Sequence, residues 1–369
     1  MRIAYISNGN PDVPAFDQLF LGKMVEQGHE PYYISYWPGE ADYSKLGVRW
    51  IHYDPQPPRL LRIVLHLRNL LRQIQPDVLH TGWVQTAGFY GALSGFHPTL
   101  LMPWGHDILP HLDQPQYSES RWHKLITRFT IKWADMITCD CELVKNRIIE
   151  MTAYPANRIV VFPWGVDRAT FKPSSSPSQI RQRLGWEDKK VLIMNRLFTP
   201  RRGIRYFIEA LPAVVAEIPE TRVLLVGYGL LEQELKRRVE ELGLLSQVHF
   251  AGRVSNRDIA EYLHAADIYV TTSLSDGTSV SLLEAMACGL PVVVADAPAY
   301  FEWVRDGFNG FIVPRKDSTI LAKRLVELLA NEDLRRSMSE RNLQIAQERA
   351  DWDKNFETLE GLYEELVLS

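Results

Sequence analysis

The chain is short of cysteine: among 369 residues only Cys139, Cys141 and Cys288 occur. Their spacing fits no zinc-ligand pattern, and an odd number closes no complete disulfide framework, so a reducing cytoplasm is the expected setting. Long apolar runs are also missing; none approaches the roughly 18 residues of a membrane span. The opening MRIAYISNGN has too brief an apolar stretch for a secretory leader and reads as a first strand. Charge of one sign is not in excess either. Lys and Arg number 41 against 45 Asp and Glu, a net charge of −4, which argues against a nucleic-acid partner. The balance is uneven, with 17 cations and 16 anions in residues 1–173 and 24 against 29 in the remainder. A mildly basic first half would suit an anionic acceptor and equally describes ordinary solvated faces.

What the chain has is alternation. Its length suits two domains, and 46% hydrophobic with 23% charged residues is ordinary for a soluble fold. Apolar strand candidates Ile3–Ser7, Tyr32–Ser35, Val48–Ile51, Val78–His80, Leu100–Pro103, Met136–Cys139 and Ile159–Phe162 are separated by amphipathic stretches. A breaker-rich segment, Phe171-Lys-Pro-Ser-Ser-Ser-Pro-Ser, reads as a linker. A second series follows, with strands predicted at Val191–Asn195, Arg222–Val226, Val248–Ala251, Ile268–Thr272, Val292–Ala295 and Gly310–Val313. Helices fall between these, and three more close the chain. Such alternation predicts an α/β protein of two doubly wound, Rossmann-like domains.

The segment Thr271–Pro314 carries most of the chemistry. A β-branched run ends in Ser-Leu-Ser-Asp-Gly, a short helix from Ser279 to Ala287 follows, and Val292–Ala295 has no polar face. The loop therefore empties onto a helix N-terminus, where backbone N–H groups and the dipole favour an anion such as a phosphate. Two carboxylates, Asp276 and Glu284, bracket the spot. Carboxylates beside a phosphate suit sugar hydroxyls, so the pattern describes a nucleotide sugar. A second loop, Asn195-Arg196-Leu197-Phe198-Thr199-Pro200-Arg201-Arg202-Gly203, offers Arg196 and Arg202 as forked donors to phosphate oxygens. A departing diphosphate gains charge that catalysis must neutralise. Gly227-Tyr228-Gly229 sits after a strand as a dinucleotide fingerprint would, but Glu232 stands where the third glycine belongs, so NAD and FAD are not expected.

The spacing of Asp276 and Glu284, running into LLEAMACGLPVV, resembles the donor motif of family 4 retaining glycosyltransferases. That resemblance implies the GT-B architecture: domain 1–170 on the acceptor side, domain 171–349 binding the nucleotide sugar, and a helix at 350–369 crossing back to the first domain, with donor and acceptor meeting in the cleft between domains. It implies that Asp276 faces the hexose hydroxyls and Glu284 the ribose. Gly277, Thr278 and Ser279, with Val280 beside them, would line the sugar and diphosphate. The family usually has Glu at position 276, a Gly at Asn195 and a Lys at Arg202. Arg for Lys keeps the charge and changes the geometry. By the same resemblance, Met102-Pro103-Trp104-Gly105-His106-Asp107 matches a His-Gly-x-Asp element beside the transferred sugar, with Gly105, His106 and Asp107 as candidates. Asp107 is evenly balanced between a sugar hydroxyl and a turn cap. Gly9 would touch phosphate or acceptor, Arg253 and Val254 the nucleobase, and Glu302 the donor. Pro163-Trp164-Gly165-Val166-Asp167 resembles the family's Asn-Gly-Val-Asp turn between domains.

The resulting expectation is a hexosyltransferase using a UDP-sugar such as UDP-glucose to build a glycan or glycoconjugate, without cofactor or metal. Asp351-Trp352-Asp353 superficially matches a metal-binding Asp-x-Asp and reads instead as a helix start. Leu60–Ile74 sets Arg59, Arg62, His66, Asn69 and Arg72 opposite Leu60, Ile63, Leu67, Leu70 and Ile74. Such a helix covers a sheet or lies on an anionic membrane; the second option would suit a lipid-linked acceptor at the inner membrane face. Alternatives are a non-hydrolysing sugar-nucleotide epimerase and an inactive glycan-binding subunit.

Overall fold

A computed structural model describes residues 1–7, 14–36, 43–57, 59–105, 107–109, 120–176, 178–256 and 258–368. The chain forms two compact units: Met1–Phe162 with Phe356–Ser369, and Pro163–Asn355. In the first, strands β1 (Arg2–Ile6), β2 (Glu30–Ser35), β3 (Arg49–His52), β4 (Val78–Gly82), β5 (Thr99–Met102), β6 (Met136–Cys139) and β7 (Ile159–Val161) make a parallel sheet ordered β3-β2-β1-β4-β5-β6-β7. Helices α1 (Pro14–Glu26), α2 (Arg59–Ile74), α3 (Phe89–Ser94), α4 (Arg121–Trp133) and α5 (Glu142–Thr152) supply the crossovers. A π-helical turn, Val84–Gly88, leads into α3. Ile3 to Ile6, Leu79 and Leu100 are fully buried, as strands covered on both faces require.

The second unit repeats the plan with β8 (Lys190–Asn195), β9 (Thr221–Val226), β10 (Val248–Gly252), β11 (Ile268–Thr271), β12 (Val292–Ala295) and β13 (Gly310–Val313), ordered β10-β9-β8-β11-β12-β13. Its helices are α6 (Gln179–Leu184), α7 (Ile204–Glu217), α8 (Glu232–Glu241), α9 (Ile259–His264), α10 (Val280–Ala287), α11 (Ser318–Ala330) and α12 (Glu332–Arg349). The sequence pattern misses α6, because six residues are too few to display a helical period. Ser178 caps that helix and Arg181 ties it to Asp267 at 2.8 Å.

A last helix, α13 (Trp352–Leu368), starts in the second unit and ends in the first. Its Phe356 packs edge-on to Phe20, Glu360 pairs with His29 at 2.7 Å, and the Tyr363 hydroxyl lies 2.6 Å from His80 Nδ1. Burial drives the His80 pKa down to about 3, so it stays neutral. Asp351 accepts from the backbone N–H groups of Asp353 and Lys354, a helix-start role. Among the described residues no helix is long and apolar enough to cross a membrane.

The unit boundaries fall at 162/163 and 355/356, against 170/171 and 349/350 in the sequence reading. Packing explains the shift. Val166 pairs with Asp351, and Trp164 stacks on Trp352 with ring planes 4° apart. Phe171, the first residue of the expected linker, is buried in the second unit's core. Trp164 holds a φ of 58°, a left-handed conformation that asparagine tolerates better than tryptophan.

Gly165 sits so close to the start of α13 that a Cβ there would lie 2.7 Å from the backbone N and Cα of Trp352. Gly361 is an exposed helix glycine with nothing within 4 Å of an added Cβ. Thermal melting should therefore separate two like substitutions. Gly165→Ala lowers the midpoint, whereas Gly361→Ala raises stability by roughly 0.5–1 kcal/mol through the helix-propensity and chain-entropy gain. Equal effects would contradict the contact at Trp352.

Candidate functional site

In doubly wound sheets ligands sit beyond the carboxyl ends of the strands where the strand order reverses. In the second unit this point lies between β8 and β11. The loop after β8 carries Arg196 and Arg202, and the loop after β11 carries Asp276 and leads into α10. Backbone contacts fix the two loops together: Leu274 N–H donates to Arg201 O at 2.8 Å, and Thr272 Oγ1 donates to Gly203 O at 2.9 Å. Gly203 adopts a φ of 62°, and a Cβ there would lie 2.3 Å from the Thr272 carbonyl. The Gly227-Tyr228-Gly229 turn packs under the same segment. Cβ atoms on its glycines would lie 2.0 Å from Arg196 O and 2.7 Å from Phe198 O. These glycines serve close backbone packing, which accounts for a Gly-x-Gly without a dinucleotide fingerprint.

The charged groups converge on Asp276. Arg196 Nη2 donates to Asp276 Oδ2, and Arg202 Nη1 lies 2.7 Å from Oδ1. Tyr300 donates its hydroxyl to Oδ2 at 2.9 Å. Burial alone would push the Asp276 carboxyl up, but the guanidiniums of Arg196 and then Arg202 outweigh it and hold the group well below the usual carboxylate range. The other amino group of Arg196 donates to Ser279 Oγ at 2.5 Å and Ser281 Oγ at 2.6 Å. Tyr269 donates to Ser281 at 3.0 Å, and Ser279 caps α10 by accepting from Leu282 N–H. Burial works against the Arg196 charge as well, and Asp276 more than restores it.

Glu284 lies one turn into α10, buried, with the Asn195 amide donating to it at 3.4 Å. Burial raises its pKa to about 8, offset in part by that amide and by Arg196. At neutral pH it is mostly protonated. Two arginines against one ionised aspartate leave the cluster with a surplus positive charge at a helix N-terminus, an arrangement that favours an anion.

Of the other residues named from sequence, Gly277 and Thr278 are buried, and Thr278 Oγ1 accepts from the Trp303 indole at 3.4 Å. Val280 opens α10. Past β10, the Arg253 guanidinium lies 5.1 Å from the Tyr228 ring centroid and Val254 packs on the core. Glu302 ends the 3-10 turn Pro298–Glu302 and is half-buried. In the first unit, Gly105 has a φ of 77°. Asp107, balanced in sequence between a sugar hydroxyl and a turn cap, makes the bonds of a cap. Its Oδ2 accepts from Val84 N–H and its Oδ1 from Trp104 N–H, both at 2.9 Å, so its carboxylate locks the loops after β4 and β5 together. Burial raises its pKa to about 6 despite those bonds. Gly9 and His106 lie outside the described residues. The sequence reading missed Tyr300, Ser273, Ser281 and Tyr269, the hydroxyls beneath Arg196 and Asp276. Isolated hydroxyl residues carry no spacing signal that would have found them.

Residues 177–344 match the family model described as Glycosyl transferases group 1, and residues 20–170 match that described as Glycosyltransferase Family 4. The chain belongs to the family 4 glycosyltransferases. This family 4 member is 35% identical over 188 residues to the phosphatidyl-myo-inositol mannosyltransferase of Mycobacterium leprae, a match covering 51% of this chain and 48% of that one. It therefore spans about half the length of that relative. It is 22% identical over 340 residues, 86% of each chain, to the GDP-mannose-dependent alpha-(1-6)-phosphatidylinositol monomannoside mannosyltransferase of Mycolicibacterium smegmatis. The crystal structure of Anabaena HepE with UDP and glucose superposes with a TM-score of 0.85 at 21% identity, covering 99% of this chain and 100% of that one. That likeness establishes the GT-B fold of this family 4 protein.

The Glu284 shift sets a stability trend. In the folded protein Glu284 keeps a proton that the unfolded chain gives up near pH 4.5. The stability this contributes is complete below that pH and is lost as pH rises through about 8. Glu284→Gln has no such proton to lose. Urea unfolding at mildly acid, neutral and mildly alkaline pH should show the variant gaining on the wild type as pH rises; a constant difference would contradict the shift.

Proposed function

We propose that the protein is a retaining, metal-independent hexosyltransferase that takes a hexose from a UDP-sugar, such as UDP-glucose, and attaches it to a hydroxyl of a glycan or lipid-linked glycoconjugate during polysaccharide assembly, in the cytoplasm. The observation that carries this reading is the meeting of Arg196, Arg202 and Asp276 at the N-terminus of α10. In this reading the guanidiniums and the α10 amides hold the diphosphate, whose bridging oxygen gains charge only as the glycosidic bond breaks. Asp276 shares the arginines with the phosphates and accepts from a hexose hydroxyl. Glu284 accepts the ribose hydroxyls. The departing phosphate oxygen takes the acceptor's proton on the face it leaves, which keeps the anomeric configuration. Arginine charge on the diphosphate takes the place of a metal.

A second reading concerns only the donor. The Mycolicibacterium smegmatis relative is named as GDP-mannose-dependent, whereas HepE was crystallised with UDP. A thermal-shift series separates them: UDP should stabilise more than GDP or ADP by RT ln(1 + [L]/Kd). A larger shift with GDP overturns the UDP assignment. With the best donor, turnover should survive EDTA and the product should keep the donor's anomeric configuration. Loss of turnover restored by Mn²⁺, or an inverted anomer, would refute the mechanism.

The residues divide by kinetics. Arg202→Ala should lower kcat about a hundredfold, roughly 3 kcal/mol of transition-state stabilisation, with little change in donor binding. Arg196→Ala should do the same and lose more thermal stability than Arg202→Ala, because Arg196 also joins Asp276 to Ser279 and Ser281. Glu284→Ala should chiefly raise KM, since ribose hydroxyls carry the same charge throughout the reaction. Wild-type kinetics in all three would place the donor elsewhere.

A further inference from the structure

Surface helices of water-soluble folds turn their apolar side chains inward. Helix α4 does the reverse. The residues it buries include Thr127 and Thr130 along with Ile131, while Trp122, Leu125 and Phe129 face outward. The inward hydroxyl of Thr127 is used locally: it donates to His123 O at 2.8 Å and accepts from Gln85 Nε2 at 2.9 Å. Trp122 is 75% exposed, far more than a residue of that size needs to be. The three apolar residues are spaced at i, i+3 and i+7, so they form one stripe along the helix.

The neighbouring helix extends the pattern. α2 buries Ile63, Val64, Leu67, Leu71 and Ile74, which leaves Leu60, Leu61 and Leu65 exposed. The sequence reading placed Leu60 on the inward face; the structure turns it out. α3 joins the two helices in one layer: Arg68 of α2 donates to the carbonyls of Leu93 and Ser94, and Phe89 of α3 packs edge-on to Phe129 of α4. Neither α2 nor α4 contains an acidic residue. Arg59, Arg62, Arg68 and Arg72 lie on the first, and Arg121, Lys124, Arg128 and Lys132 on the second. Two of these, Arg68 and Arg128, donate to backbone carbonyls; among the described residues the others form no ion pair. Both helices are thus cationic and free of acids, in a chain whose net charge is −4.

We propose that the α2–α4 face docks the protein on the surface of an anionic lipid bilayer, with Trp122, Leu125, Phe129 and Leu61 entering the headgroup region and the arginines and lysines meeting lipid phosphates. Charge complementarity selects an anionic surface. A tryptophan and leucines rimmed by cations are what an interfacial helix requires, since apolar burial and attraction to anionic headgroups add together. The inference rests on the first unit alone and is independent of the donor chemistry.

The test is co-sedimentation of the full chain with vesicles of phosphatidylglycerol and phosphatidylcholine in equal parts, against phosphatidylcholine alone. Binding is expected to the mixed vesicles, weakening as salt rises, and not to the neutral ones. The double variant Trp122→Ser with Leu125→Ser should lose affinity about tenfold or more, and Arg121→Gln with Lys124→Gln should lose it in parallel. Both pairs are exposed, so thermal melting and the UDP-induced shift should stay at wild-type values. Leu245→Ser, which removes an exposed leucine of the other unit, should leave vesicle binding unchanged. The proposal is overturned if the wild type binds neither vesicle, if the double variants bind as it does, or if Leu245→Ser is equally impaired. Retention on a soluble polyanion without vesicle binding would overturn it in favour of an acidic macromolecular partner.

Discussion

Asp276 is largely enclosed between Arg196 and Arg202, and its charge survives there because both guanidiniums reach it. An ionised group in such a place would otherwise take up a proton, and removing one partner of a buried pair typically costs about 3–5 kcal/mol. The neighbouring structure follows from that constraint. Ser273, Ser279, Ser281 and Tyr300 supply oxygens around the pair, and the two loops are held by backbone bonds close enough for the contact to form. The glycines at 203, 227 and 229 are the positions where that closeness leaves no room for a side chain.

The same cluster assigns different protonation states to two carboxylates of one motif. Asp276 meets cations and stays ionised. Glu284 meets chiefly an amide and apolar core, and keeps its proton up to about pH 8. Environment, not residue type, sets the difference. A site with one charged and one neutral acid can hold two polar groups of a ligand without adding a second negative charge beside its phosphates.

The strands of both sheets were legible because a parallel sheet covered on both faces needs uninterrupted apolar runs. Val292–Ala295 could hardly read otherwise. The loop carrying Asp276 was legible because turn residues, a capping serine and a helix stop occur in the right order. Other features were hidden because they depend on contacts between distant segments. Asp107 stands in a motif that suggests sugar binding, yet its oxygens go to two backbone N–H groups, one of them from Val84. Tyr300 reaches Asp276 from a separate 3-10 turn. Phe171 opens a stretch full of prolines and serines but is itself a core residue. The outward stripe of α4 was hidden for another reason: periodicity shows that a helix has two faces without saying which one points inward.

Helix α13 has a consequence for how the chain is made. Phe356, Leu359, Tyr363 and Leu366 are buried in the first unit although they follow the whole of the second in sequence. As a ribosome extends the chain, the second unit is therefore complete while the first still lacks these side chains, and Phe20 and His80 wait for their neighbours. Domains usually mature in the order of their synthesis. Here the unit begun first is the one finished last, so a nascent chain carries an open apolar surface on its oldest segment until translation has passed Leu366.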